Sequence, residues 1–358
     1  MANEVVAKRN PALLIYHPFY LEHSNPQGHP EQSRRLSASY ELLKKESLLS
    51  KLRKIAPSEA AEEIICGVHS GQYVKQVKEI AESGGGYIDA DTFVSPASYR
   101  AARLAVGGVL SAVDNVLGGE SRRAFCLLRP PGHHATAQIG MGFCIFNNLA
   151  VGAKYALEKY RISRILIVDW DAHHGNGIQD IFYDSPNVLY ISLHQYPLYP
   201  GTGALDEVGR GEGQGHNVNI PLPAGSGDEI FREAFLRIIT PIASQFKPQL
   251  VMVAAGYDGH FADPLASLAL TDAGYARMTK EILSLAVSSG GRVVFSLEGG
   301  YELDALSRSI LATIDKLVTV RNDEGPESSD VFKEAVQVAH GRRILDLAIE
   351  RLSGYWDL

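Results

Sequence analysis

The sequence predicts an α/β fold, a single three-layer α/β/α domain around a mostly parallel central sheet, and three observations predict it. Short apolar runs rich in β-branched residues recur along the chain. Segments of helical periodicity, long enough for crossovers, separate most of them. No repeat and no proline- or serine-rich linker divides the 358 residues. The runs lie at 13–16, 124–128, 165–168, 188–193, 250–255 and 293–297, and the helices are expected at 101–117, 149–159, 229–246 and 271–288. One domain therefore spans 1–358. Within it, 330–352 reads as a C-terminal helical extension, carrying Phe332, Val336, Leu345 and Ile349 among charges and packing on the domain or on a partner subunit. The glycine-bearing stretches 83–87 and 209–215 read as turns, since neither joins a strand to a helix in a phosphate-cradling pattern.

Composition narrows the function. An apolar content of 45% is enough for a substantial core. A formal net charge of -7 without a basic block excludes the electrostatic footprint of a nucleic-acid binder, and favours cationic substrates such as lysine side chains or polyamines. Cys66, Cys126 and Cys144 match neither a zinc knuckle nor a CxxC pair, so buried, reduced thiols are expected. The first residues lack the apolar core of a signal peptide and no run reaches membrane-spanning length. A soluble, cytoplasmic protein is the expectation, with a homo-oligomer left open.

Polar, glycine-marked motifs follow five of the runs, at the edge where open α/β sheets bind ligands. The run at 165–168 continues into Asp169-Trp170-Asp171-Ala172-His173-His174-Gly175-Asn176-Gly177. Alternation along an extended chain puts Asp169, Asp171 and His173 on one side. A lone Asp-x-Asp would be a solvated loop; a carboxylate pair, an imidazole and a glycine-rich exit together point to a metal. After 250–255 comes Gly256-Tyr257-Asp258-Gly259-His260. Asp171, His173 and Asp258 then supply two oxygens and a nitrogen, a donor set that suits zinc or iron(II) with a position open for water. Gly256 and Gly259 are expected to let backbone approach that centre.

After 124–128 comes Arg129-Pro130-Pro131-Gly132-His133-His134, a stiff and then sharply turning approach that aims two rings into a pocket. Such a pair suits amide hydrolysis: one ring takes a proton from water, and the other steers or supplies the proton for the leaving amine. After 293–297 comes Glu298-Gly299-Gly300-Tyr301, whose tyrosine is either an oxyanion donor or a pocket wall.

Taken together, the Arg-Pro-Pro-Gly-His-His, Asp-Trp-Asp-Ala-His-His-Gly-Asn-Gly, Gly-Tyr-Asp and Leu-Glu-Gly-Gly-Tyr motifs resemble the zinc-dependent histone deacetylase family. That family includes acetylpolyamine amidohydrolases and acetoin-utilisation proteins. The resemblance runs from about residue 16 to about residue 317 in order and spacing. It implies the α/β domain shared with arginases, with about eight strands. It implies Asp171, His173 and Asp258 as zinc ligands, His133 as the base, His134 as the acid and Tyr301 as the carbonyl-polarising donor. Asp169 would stand behind His133 and hold a structural potassium ion with Ser192. Asn176 stands where some members carry an aspartate behind His134, which resembles the class II branch and should leave His134 less basic. Gly142-Phe143 and Tyr199 match the walls of an acyl-lysine tunnel. Leu265 sits where polyamine-selective members place a glutamate, and Asp91 or Asp89 matches a rim carboxylate. His29-Pro30-Glu31 matches a family motif, whereas Gln32-Ser33-Arg34-Arg35 departs from the usual Arg-Pro-x-Arg wording.

The leading expectation is hydrolysis of acetyl-lysine in a peptide or protein. The runner-up is an acetylated polyamine or other small amine, which the absence of a glutamate at 265 disfavours. An arginase-like enzyme with two manganese ions would need further aspartates that the motifs lack. A non-catalytic acyl-lysine binding module would be betrayed by a missing ligand or tyrosine, and every such position is intact.

Overall fold

Eight parallel strands form the central sheet in the computed structural model, which describes residues 11–320 and 336–358. In chain order the strands are β1 (Leu13–Ile15), β2 (Arg53–Ile55), β3 (Gly86–Asp89), β4 (Thr92–Val94), β5 (Arg123–Cys126), β6 (Ile165–Asp169), β7 (Val188–Gln195), β8 (Asn217–Leu222), β9 (Leu250–Ala255) and β10 (Val293–Leu297). The sheet order is β2-β1-β5-β10-β9-β6-β7-β8, and every pairing is parallel. The strands β6, β7, β9 and β10 are buried along their whole length. Burial on both faces is why they read as unbroken apolar runs rather than as alternation.

The two strands of the central sheet that the apolar runs do not announce are its edges. β2 is Arg-Lys-Ile, largely exposed; β8 alternates Val218, Ile220 and Leu222 with asparagines and Pro221, a residue tolerated at a sheet edge. β3 and β4 form a separate antiparallel pair, so the stretch 83–87 is a turn at Gly84 and Gly85 that runs directly into a strand.

Three expected helices are present with shifted ends. They span Ser98–Leu117, Asn148–Tyr160 capped by Asn147, and Asp272–Leu285 capped by Thr271. The helix expected over 229–246 is interrupted: Asp228–Ala234 and Thr240–Phe246 are α-helical, with a π-helical turn at Phe235–Ile239 between them. Pro241 explains the interruption, because it lacks the N–H that would bond one turn back and its ring crowds that carbonyl.

The C-terminal helix covers Val336–Leu352, while Phe332 and the rest of 330–335 lie outside the described residues. It packs on the same domain: Leu345, Ala348 and Leu352 are buried in the main core, and the Trp356 indole donates to Gly215 O at 2.8 Å. Among the described residues no helix is long and apolar enough to cross a membrane. Cys126 and Cys144 are buried free thiols, whereas Cys66 is exposed.

Candidate active site

Parallel pairing places the carboxyl ends of β5, β10, β9 and β6 side by side, and their exit turns build one buried polar cluster. β6 ends at Asp169, so Asp171 and His173 lie in the turn that follows. Asp171 Oδ1 is 3.2 Å and Asp258 Oδ2 is 2.9 Å from His173 Nδ1, and the three side chains form a group able to hold a metal ion. The other carboxylate oxygens are anchored: Gly299 N–H donates to Asp171 Oδ2 and Ala172 N–H to Asp258 Oδ1, both at 2.8 Å. Burial and the neighbouring Asp171 push the Asp258 carboxyl up to about 7. Two crowded, fully buried carboxylates, each with one oxygen turned to the same imidazole, are a donor set that fits a divalent cation.

Two glycines make that crowding feasible. A β-carbon at Gly256 would run into the Asp171 carboxylate, and one at Gly299 into both Asp258 and Asp171. Gly259, expected to serve the same purpose, faces Leu270 and Tyr275 in the core instead.

The histidine pair stands beside this cluster with ring centroids 4.0 Å apart. His133 Nδ1 donates to Asp169 Oδ2 at 3.1 Å, and its Nε2 lies 3.9 Å from Asp171 Oδ1. His134 Nδ1 lies 2.8 Å from Asn176 Oδ1. The Asn176 amide nitrogen donates to His134 O at 3.3 Å, which turns its oxygen towards the ring; His134 Nδ1 is therefore the donor and Nε2 keeps its lone pair.

Their charges diverge. Burial opposes a charge on His133, but Asp171 and Asp169 outweigh it and hold its pKa up at about 10. Burial, with His133 and His173 nearby, pushes His134 well below the usual imidazole value. Asp169 itself is occupied by protein donors, with Tyr190 O–H on Oδ2 at 2.9 Å and Asp171 N–H on Oδ1 at 3.1 Å. Ser192 is its register partner on β7, and Ser192 Oγ lies 2.9 Å from His194 Nδ1.

Aromatic walls approach the same point. The Tyr199 ring meets His134 edge-on at 5.2 Å, and the Phe143 ring meets Tyr301 at 5.7 Å and His29 at 4.6 Å. Gly142 and Phe143 both have positive φ, of 55° and 67°, a conformation that strains phenylalanine. The β3–β4 hairpin holds them there: Asp91 Oδ1 accepts from Gly142 N–H at 3.1 Å and Thr92 Oγ1 from Phe143 N–H at 3.0 Å. One oxygen of Asp91 is thus committed to the wall rather than to the rim. Leu265 is tied in through its neighbour, since Asp263 accepts from Leu265 N–H at 3.0 Å and from Tyr301 N–H at 2.6 Å.

Several residues that build the site carry no label in the motifs. Glu31 accepts from Arg35 at 3.0 Å and from Arg129 at 2.6 Å, and all three side chains are fully buried. Arg35 donates onward to Gly300 O at 2.6 Å and sits 4.9 Å from the Tyr301 ring centroid. The departure from the Arg-Pro-x-Arg wording thus still delivers an arginine to this network. Arg35 and Arg129 lay inside quoted motifs and Asp263 two residues before Leu265, but only a three-dimensional arrangement pairs them with their targets.

The chain matches the family model described as the histone deacetylase domain over residues 29–317. It is 44% identical over 294 residues, 81% of each chain, to a protein named "Probable deacetylase" from Archaeoglobus fulgidus. It is 38% identical over 295 residues, 82% of this chain and 77% of the other, to the histone deacetylase-like amidohydrolase of Pseudomonas aeruginosa. The human polyamine deacetylase HDAC10 is 39% identical over 308 residues, which are 82% of this chain and 45% of that protein. The crystal structure of the HDA15 HD domain superposes with a TM-score of 0.88 at 36% identity, covering 97% of this chain and 95% of that one. The chain belongs to the histone deacetylase family, a family of amidohydrolases.

The glycine cradle is testable apart from turnover. Gly256→Ala should leave the circular dichroism spectrum unchanged while weakening zinc binding at least tenfold, as disturbance of ligand support does elsewhere. Native zinc affinity in this variant would contradict the crowding argument.

Proposed function

We propose that the protein is a zinc-dependent deacetylase that hydrolyses N-acetyl amides, with acetyl-lysine side chains as its substrate class. One observation carries this reading: Asp171 Oδ1 and Asp258 Oδ2 converge on His173 Nδ1 beside a histidine, His134, that is held neutral and bonds Asn176 through Nδ1. Asp171, His173 and Asp258 would hold the zinc, which when bound would polarise the acetyl carbonyl and acidify water. His134 takes the proton of the attacking water at Nε2 and returns it to the departing amine. His133, held charged by Asp171 and Asp169, stabilises negative charge as it develops. The charges thus favour His134 for the base role that the motif reading gives to His133. The Tyr301 hydroxyl donates to the oxyanion, and burial keeps it protonated, although Arg35 opposes that shift.

Phe143 and Tyr199, with Gly142 between Phe143 and His134, form the walls for an extended acyl-amine stem, with Leu265 and Asp91 nearer the rim. Potassium is proposed at Asp169 and Ser192, opposite each other in register on β6 and β7. Buried free thiols support a reducing, cytoplasmic setting, and no nucleic-acid partner is proposed. The second reading is an acetylated polyamine, favoured by the similarity to a relative named polyamine deacetylase and disfavoured by Leu265.

A panel of acetyl-lysine peptides and acetylated polyamines, assayed with and without a zinc chelator, tests this directly. Chelator-sensitive hydrolysis of the peptides is expected. Turnover of polyamines alone would move the assignment to the second reading, and binding without hydrolysis would sink both. Tyr301→Phe should lower kcat at least 100-fold, the scale of losing one oxyanion donor, with zinc content unchanged; near-normal turnover would remove its assigned role.

The pH dependence separates the two histidines. A base whose pKa is depressed stays active as pH falls below 6.5 and fails only as pH drops through that lowered value. Asn176→Asp places a carboxylate behind His134 and favours the imidazolium, so the acid limb of kcat/KM should move up by about one pH unit or more. An unmoved limb would return the base role to His133.

A further inference from the structure

Glu298 follows β10 directly and is wholly buried, yet no step above uses its side chain. Its Oε2 accepts two consecutive backbone N–H groups across the sheet edge, from Gly132 at 2.6 Å and from His133 at 3.1 Å. Its Oε1 has no hydrogen-bond partner among the described residues, and the side chain clusters with His133 and Cys144. A buried carboxylate oxygen left unpaired is costly, so the two N–H contacts on the other oxygen are what the side chain gains in that position.

The turn it grips is pinned on its other sides as well. A β-carbon at Gly132 would collide with Asn148 and Phe146 O, and Asn148 Nδ2 donates to Pro130 O at 3.1 Å. The carbonyl of His133 accepts from Gly177 N–H at 3.0 Å and from Ile178 N–H at 3.2 Å. The peptide groups on both sides of the His133 α-carbon are therefore held, the preceding N–H by Glu298 and the following C=O by the start of the helix at Asn176–Phe182. Glu298 is itself fixed, because its N–H donates to Ala255 O at 3.1 Å and its carbonyl accepts from Arg35.

We infer that Glu298 is a positioning residue, whose carboxyl clamps the Gly132-His133 backbone and thereby sets both imidazoles against the metal-ligand cluster. The inference rests on the deacetylase reading for its effect on turnover, but the clamp itself does not. Burial pushes this carboxyl up to about 7 against the opposing influence of His133 and the two N–H donors. Full charge is thus not what the geometry requires. An acceptor oxygen at that place is.

The test compares Glu298→Gln, which keeps an acceptor oxygen, with Glu298→Met, which fills the space and accepts neither N–H. For an acetyl-lysine peptide, Glu298→Met should lower kcat at least tenfold with KM within twofold and one zinc per chain. Glu298→Gln should recover most of that loss. Hydrogen exchange followed by mass spectrometry should show faster exchange at residues 130–135 in the methionine variant only. Equal damage in both variants, unchanged kcat in Glu298→Met, or unchanged exchange there would overturn the clamp. Should the wild type hydrolyse no acetylated amine, the deacetylase reading fails and the exchange comparison still decides the clamp. Should Glu298→Met not fold, the glutamine variant decides it alone, since kcat or exchange far from wild type would overturn it.

Discussion

Burial of several carboxylates at one sheet edge is the constraint on which the rest of this structure depends. Asp169, Asp171, Asp258 and Glu298 are fully removed from water, and each such group must find donors or a cation. The solution is a lacing of neighbouring turns: the turn after β10 donates an N–H to Asp171 in the turn after β6. The turn after β6 donates to Asp258 after β9, and the turn after β5 donates to Glu298 after β10. Asp263 repeats the device by taking the N–H groups of Tyr301 and Glu302. Each contact satisfies a buried acid and, in the same act, fixes the backbone that carries a neighbouring functional side chain. Parallel pairing is what makes this possible, because it brings all these turns to one edge.

The same crowding separates the charges of the histidine pair. With ring centroids only 4.0 Å apart, two imidazolium ions would repel each other, so placing a carboxylate behind one ring and an amide behind the other assigns the proton. Asp171 and Asp169 favour a charge on His133, while Asn176 offers the His134 ring only a neutral acceptor oxygen. A single choice of side chain, asparagine rather than aspartate, thus bears on which ring is free to act as a base.

Much of this was legible in the sequence because the central strands are buried on both faces and the chemistry sits directly after them. The runs at 165–168, 250–255 and 293–297 announced their strands, and the residues that followed announced the cluster. The edge strands β2 and β8 were not legible, since β2 is three largely exposed residues and β8, although buried, interleaves its apolar residues with asparagines and a proline, so neither shows an unbroken apolar run. Nor was the π-helical turn at Phe235–Ile239, although Pro241 was its signal. Within the site, the donor types were readable from Asp171, His173 and Asp258. What Asp263, Glu298 and Arg35 contact was not, because a backbone N–H or carbonyl as partner leaves no mark on the sequence. The strained backbone of Phe143 is a similar case, because Asp91 and Thr92, which hold it from the β3–β4 hairpin, lie some 50 residues earlier.

On the reading proposed above, Asp171, His173 and Asp258 form one mononuclear metal centre from which the surrounding turns take their positions. Anomalous diffraction at the zinc edge from crystals of the zinc-loaded protein tests it most directly. A single strong peak is expected at the active site, about 2.0–2.2 Å from His173 Nδ1 and one oxygen of each aspartate. A pair of metal peaks bridged by these aspartates, or a peak away from them, would contradict it.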